Sequence, residues 1–218
     1  MKIMLISASP NKEKSQSFAL AKEVLRGAQG AGAESEIIQL CDLKITPCLA
    51  QETCHKEILA CPTKDDVPEI LDKMLEAEGI ILATPNYINQ VTAVMKALMD
   101  RSNHLIHCKR LLGKYIAGVV SLGGGSDKEV LDYIKFYAHI CGAQYSGGVS
   151  KMGPMNEKKK EQACKLGEKL AQDIRDKKEF PDQIKVIEQG RLHFKRLMQM
   201  MKDVWAPEYK YWQEKGWI

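Results

Sequence analysis

The sequence predicts a doubly wound α/β fold, and three observations carry that prediction. Short β-branched runs alternate with amphipathic helical stretches through the first 150 residues; the alternation is strict; and two of the runs, 79–84 and 114–122, are apolar almost throughout. Near-continuous apolar strands are those covered on both faces, and strands that alternate with helices form a parallel sheet through right-handed crossovers.

The elements follow in order. Strand-like segments are expected over 2–7, 34–40, 79–84, 114–122 and 144–149. After the first, Leu20, Val24 and Ala28 recur one helical turn apart, and Ser15 or Ser17 stands where a cap is needed. Helical patterns also run through 67–77, 91–107 and 128–141, and a polar-faced helix through 157–176. Phe180 and Pro181 then interrupt. Beyond them Ile184, Ile187, Phe194, Leu197, Met198, Met201 and Trp205 keep a helical stripe that ends in Tyr209, Tyr211, Trp212 and Trp217. The division expected is an α/β body over 1–178 and a helical, aromatic extension over 179–218, packed on the body or, as we favour, on another subunit.

Composition narrows the function classes. At 218 residues, 44% hydrophobic and 28% charged, the chain has material for one sizeable core, which rules out disordered and collagen-like readings. The apolar run 116–122 falls far short of a bilayer span and no signal-peptide layout opens the chain, so a cytoplasmic protein without a membrane partner is expected. The net charge of +4 is a C-terminal property: residues 151–218 hold 16 Lys and Arg against 11 Asp and Glu, leaving 16 against 17 in the rest. Interspersed acids at helical spacing make this a solvated face rather than a nucleic-acid surface.

In an open parallel sheet, ligands bind beyond the carboxyl ends of the strands. The turn after the first strand, residues 7–17, brings Ser9, Ser15, Gln16 and Ser17 to a helix N-terminus, where unpaired N–H groups favour an anion. It lacks the glycine spacing of dinucleotide and triphosphate loops and suits a single phosphate. After the third strand come Pro85, Asn86, Tyr87, Ile88 and Asn89, an extended entry and turn-forming amides beside a flat aromatic, a surface for a planar ring. After the fourth come Ser121, Gly123, Gly124 and Gly125, a wall stripped of side chains that a bulky ligand can approach closely.

Together these three turns resemble those of the NAD(P)H-dependent FMN reductases of the flavodoxin-like superfamily, in particular the branch with the iron-sulfur flavoproteins. The resemblance is carried by residues 6–10, Ser15, Gln16 and Ser17, residues 84–87 and 96–101, and the three glycines, and covers about residues 1–150. It implies a flavodoxin-like five-stranded sheet of order 2-1-3-4-5. It also implies FMN phosphate on Ser9, Ser15, Gln16 and Ser17, and the flavin ring between Pro85, Asn86, Tyr87, Ile88 and Asn89 on one side and Ser121, Gly123, Gly124 and Gly125 on the other. Where the family carries a basic residue near Asn11, Lys12 or Lys14 is expected to supply the phosphate's counter-charge.

Four of the seven cysteines, Cys41, Cys48, Cys54 and Cys61, fall within 21 residues of one loop. Clustered thiols suit a soft metal or an iron-sulfur cluster. On the compact four-cysteine pattern of the iron-sulfur flavoproteins, Cys48, Cys54 and Cys61 match and Gln51 replaces the second cysteine. An intact cluster therefore needs Cys41 or His55 as a fourth ligand; a zinc on the three cysteines and His55, or plain redox-sensitive thiols, are the alternatives. Cys108, Cys141 and Cys164 read as buried apolar fillers, His104 and His107 as structural or surface residues, and Asp100 with Arg101 as helix and interface electrostatics.

The expected function is an FMN-dependent oxidoreductase in which the flavin N5 takes hydride from NAD(P)H and no side chain is an indispensable acid or base. The electrons would pass to a quinone, flavin, nitro or azo compound, or redox protein. The alternative is an electron carrier that relays single electrons between FMN, a cluster and a protein partner. A third reading makes the basic extension a binding module with the flavin as redox sensor. A homodimer or homotetramer is expected.

Overall fold

The computed structural model describes residues 1–57 and 60–218. Five strands, β1 (Lys2–Ser7), β2 (Glu34–Gln39), β3 (Gly79–Pro85), β4 (Tyr115–Leu122) and β5 (Gln144–Met152), form one sheet in the order β2-β1-β3-β4-β5. Every pairing is parallel. The order reverses between β1 and β3, which places the crevice of an open sheet over the turns that follow these strands.

The two-residue period of the strands divides the core. Met4 and Ile6 of β1, with Ile80 and Leu82 of β3, point to one face. There they meet α3 (Val67–Glu76), α4 (Ala93–Asp100) and α6 (Asp127–Cys141). Ile3, Leu5, Ile81 and Ala83 point to the other, against α1 (Gln16–Gly30) and α7 (Glu157–Arg175). Helices α1 and α7 approach so closely that a Cβ on Gly27 would stand 2.0 Å from the Cys164 carbonyl oxygen, and one on Gly167 1.8 Å from that of Val24.

Three sequence expectations need correction. The helix expected over 91–107 is broken into α4 and α5 (Asn103–His107), because Arg101 and Ser102 leave the helical path and the Ser102 hydroxyl donates to the Met99 carbonyl at 2.6 Å. A short α2 (Thr53–Lys56) lies in the cysteine loop, where no helix was expected. Cys164 is half-buried rather than enclosed: its backbone faces Gly27, and its thiol turns aside to Glu168 at 3.5 Å.

The extension consists of α8 (Pro181–Met200) and α9 (Ala206–Glu214). Its aromatic end folds back onto its own body: Trp205, Trp212 and Met198 bury together with Cys108, and the Trp212 indole donates to the His107 carbonyl at 3.1 Å. Side chains such as Val186 and Leu192 on α8 remain exposed.

Candidate functional site

The turn after β1 is built around hydroxyls. Ser15 caps α1, its oxygen accepting from the Phe18 amide at 3.2 Å and lying 2.9 Å from the Ser17 hydroxyl. Ser9 accepts from the Asn11 amide at 3.4 Å. Ser9, Ser15 and Ser17 are buried and Gln16 is exposed at the helix start, where the first amides have no intrahelical acceptor. Thr92 ties this turn to the next, its hydroxyl donating to the Ala8 carbonyl at 3.0 Å while its amide donates to the Thr84 hydroxyl at 3.2 Å.

After β3 the chain makes a tight turn in which Tyr87 and Gln90 exchange backbone hydrogen bonds. Ile88 and Asn89 both take positive φ, 55° and 54°. A β-branched residue there is strained, and the turn swings the Ile88 side chain fully into solvent. Asn89 looks inward instead, its side-chain oxygen accepting from the Ser126 amide at 2.9 Å. Asn86 donates to the Ser126 carbonyl at 3.0 Å, while its own side-chain oxygen is buried without a partner. These bonds lash the turn after β3 to the glycine turn after β4.

Between the turns opens a cleft of about 500 Å³. Pro85, Asn86 and Tyr87 line one part of it, Ser121, Leu122 and Gly123 another, and Gln16, Lys151, Gly153 and Pro154 the rest. A Cβ on Gly123 or Gly124 would meet no atom within 4 Å, so these glycines leave open space beside the backbone.

The sequence reading missed Lys151. Lys12, one of the two cations expected to face the phosphate, pairs with Asp42 instead, and Lys14 is exposed. Lys151 stands at the carboxyl end of β5, 2% exposed, with its ammonium donating to the Gln16 side chain. Burial lowers its pKa, and among the described residues no carboxylate pairs with it. A desolvated cation at the mouth of a hydroxyl-lined helix start is the electrostatic half of an anion site. Its position in phase with buried Val149 is the trace it leaves in the sequence. The donor set, the unpartnered Asn86 oxygen and the bare glycine wall fit a flat ring carrying one phosphate.

The cysteine loop forms a second centre. Cys48, Cys54 and Cys61 line one small cavity with Arg101, Asn103 and His104, and the same three thiols line a larger one of about 240 Å³ with Gln51, His55 and Trp205. Cys41 lies elsewhere, in the turn after β2. Arg101, freed by the break after α4, anchors the loop: it donates to both oxygens of Asp65, to the Thr46 carbonyl at 3.0 Å and to the Cys61 sulfur at 3.2 Å. Asp65 and Asp66 then fasten the loop's entry by accepting from the Thr46 and Lys44 amides. Burial raises the Cys61 thiol, but bonds from Thr63 and Arg101 outweigh it and bring the pKa below the ordinary value. Burial pushes the Cys54 thiol up to about 11.

His55 and His107 are held by Glu208, fully buried at the start of α9, at 3.0 and 3.2 Å, with His55 stacked on Trp205. The two imidazoles lie nearly parallel and address different oxygens of the one carboxylate, so the three side chains form a hydrogen-bonded clamp. His104 is enclosed beside them, and burial lowers its pKa to about 4. His104 and His107 are largely enclosed, which fits a structural rather than a surface place, and the Arg101 charge is spent across the contact with the cysteine loop rather than along its own helix.

Residues 1–154 match the family described as NADPH-dependent FMN reductase. The chain is similar to an iron-sulfur flavoprotein of Methanocaldococcus jannaschii, 39% identical over 140 residues that cover 63% of this chain and 72% of that one. It is also similar to one from Archaeoglobus fulgidus, 29% identical over the full length of both. Among solved structures, a flavodoxin from the domain Archaea superposes with a TM-score of 0.55 at 17% identity, covering 80% of this chain and 99% of that one. The fold is therefore flavodoxin-like, as the resemblance implied.

Proposed function

The chain belongs to the NADPH-dependent FMN reductase family, and from that membership we propose that it uses FMN to take hydride from NADH or NADPH. The electrons then go to a quinone, a free flavin, a nitro or azo compound, or a redox protein. The supporting observation is buried Lys151 beside Gln16, at the edge of a cleft whose other walls are the Pro85 to Tyr87 turn and the bare glycine turn. Ser9, Ser15, Gln16, Ser17 and Lys151 hold the phosphate. Pro85, Asn86, Tyr87 and Asn89 flank the ring on one side, with Ile88 at the outer tip, and Ser121, Gly123, Gly124 and Gly125 close the other. FMN, when bound, supplies a ring able to accept hydride and release single electrons.

The chain's own part is positioning. The Asn86 oxygen, unpartnered among the described residues, would accept from a donor at the ring edge; Gly123 and Gly124 leave room for backbone to approach the ring; and the half-exposed Tyr87 ring would border the side open to the nicotinamide. The test is anaerobic titration of the FMN-loaded protein with NADH and with NADPH. Loss of the flavin's visible absorbance with at least one of them supports the reading. Bleaching by dithionite alone would exclude nicotinamide as donor while leaving the flavin site standing.

A second reading is favoured by the three thiols on one cavity: an electron carrier with an iron-sulfur cluster on Cys48, Cys54 and Cys61. Thiolates are the donors such clusters take. His55 is engaged by Glu208 and Cys41 lies in the turn after β2, so the fourth place would fall to a group from solvent. Iron and sulfide analysis of anaerobically purified protein decides it: about four of each per chain supports a cubane, and neither element excludes it.

A further inference from the structure

A cavity between α6 and α8 plays no part in the flavin site. It measures about 280 Å³, is walled by Phe136, Ile140, Val186 and Phe194, and shares no lining residue with the flavin cleft. This is the size of a small-ligand pocket, and its surface is nearly all hydrocarbon. The polar side chains among its lining are Lys109, 1% exposed, and two histidines, His139 and His193.

The surroundings of Lys109 are built for a charge that they do not balance. Its ammonium donates to the Ile140 carbonyl at 2.7 Å and sits 5.2 Å from the centre of the Phe194 ring. Among the described residues no carboxylate forms an ion pair with it, and Glu188 on α8 is held by Arg191 at 2.9 Å. An ammonium has three protons, and the Ile140 carbonyl takes one, which leaves donor capacity for a ligand in the cavity. Burial accordingly pushes its pKa down to about 8. Gly190 makes the room: a Cβ there would stand 3.1 Å from the Lys109 nitrogen. Lys109 also has a φ of 46°, a conformation that a lysine holds only under constraint from its neighbours.

We propose that this groove binds a small apolar monocarboxylate, an aromatic or short-chain aliphatic acid, with its hydrocarbon body against Phe136, Val186 and Phe194 and its carboxylate on the Lys109 ammonium. A single negative charge is what the site lacks. A dianion or a sugar would bring further polar atoms against hydrocarbon: of the wall's two histidines, His139 is engaged by Gln183 at 3.0 Å and His193 is exposed to solvent.

The test is calorimetric titration of the full-length, FMN-loaded protein with 1-naphthoate and with its neutral counterpart 1-naphthylmethanol. The expected result is saturable binding of the acid at one site per chain, about tenfold or more tighter than the alcohol, as a charge-assisted hydrogen bond requires. Lys109→Met is expected to abolish that preference. Gly190→Ala, which keeps the cation but narrows the pocket by one methyl, is expected to weaken the acid severalfold and provides the check if Lys109→Met fails to fold. Absence of saturable binding to the folded protein would overturn the proposal. So would equal affinities for acid and alcohol, an unchanged affinity in Gly190→Ala, or sedimentation showing the groove sealed in a dimer that naphthoate does not perturb.

Discussion

Lys151 separates what a sequence discloses from what a fold adds. On paper it is one of 32 basic residues, near the end of a strand rich in glycine and serine. In the structure it is a desolvated ammonium whose reach to Gln16 spans from the edge strand to the start of α1. Replacing it by methionine keeps the length and removes the charge. We expect FMN affinity to fall about tenfold or more, the worth of one charge-assisted hydrogen bond, with the circular dichroism spectrum unchanged; fluorescence titration measures it. The Ser15 cap of α1 was legible because a hydroxyl just before an apolar helical repeat stands where the first amides need an acceptor. The reversal of Lys12 toward Asp42 was not legible, because that partner arrives from the turn after β2.

At the scale of elements, close approach decides more than hydrophobic pattern. The contact of α1 with α7 exists because Gly27 and Gly167 let each backbone sit against the other. Gly167→Ala forces the two helices apart, and we expect a loss of about 3 kcal/mol or more, which corresponds to a melting temperature lower by about 6 to 12 °C for a chain of this size. The cysteine loop depends likewise on one distant residue. Arg101 links it at Thr46, Cys61 and Asp65, and its removal leaves a buried carboxylate unpaired. Arg101→Met is expected to cost about 3–5 kcal/mol and to raise the reactivity of Cys48, Cys54 and Cys61 toward an alkylating reagent, read by mass spectrometry. The cysteine spacing made the loop visible in the sequence, but an arginine inside an apparent helix gives no hint that the helix ends there to aim it inward.

For the molecule as a whole, strict alternation of strand and helix was enough to anticipate a doubly wound sheet, since a parallel sheet covered on both faces admits few other sequences. The fate of the extension was not legible, because an apolar stripe is silent about which surface it covers; Trp205, Trp212 and Glu208 close over His55 and His107 on the same chain. Global stability follows the buried acids. Burial alone would raise the Asp65 carboxyl, but Arg101 and two backbone amides hold it below the ordinary carboxylate value. Its contribution is therefore complete above about pH 4, the unfolded pKa, and is lost as the pH falls through the lower, folded value. Asp65→Asn should leave a denaturation profile with a shallower decline below about pH 4, by up to about 1.4 kcal/mol per pH unit, as urea midpoints measured across that range will reveal.

If the turns after β1, β3 and β4 hold a flat ring bearing one phosphate, with Lys151 beside it, affinity must depend on that phosphate. Parallel titration of the flavin-free protein with FMN and with riboflavin tests it most directly. FMN is expected to saturate at one per chain and riboflavin, lacking the phosphate, to bind about a hundredfold more weakly; equal affinity for the two, or no uptake of FMN by folded protein, would overturn this assignment of the cleft.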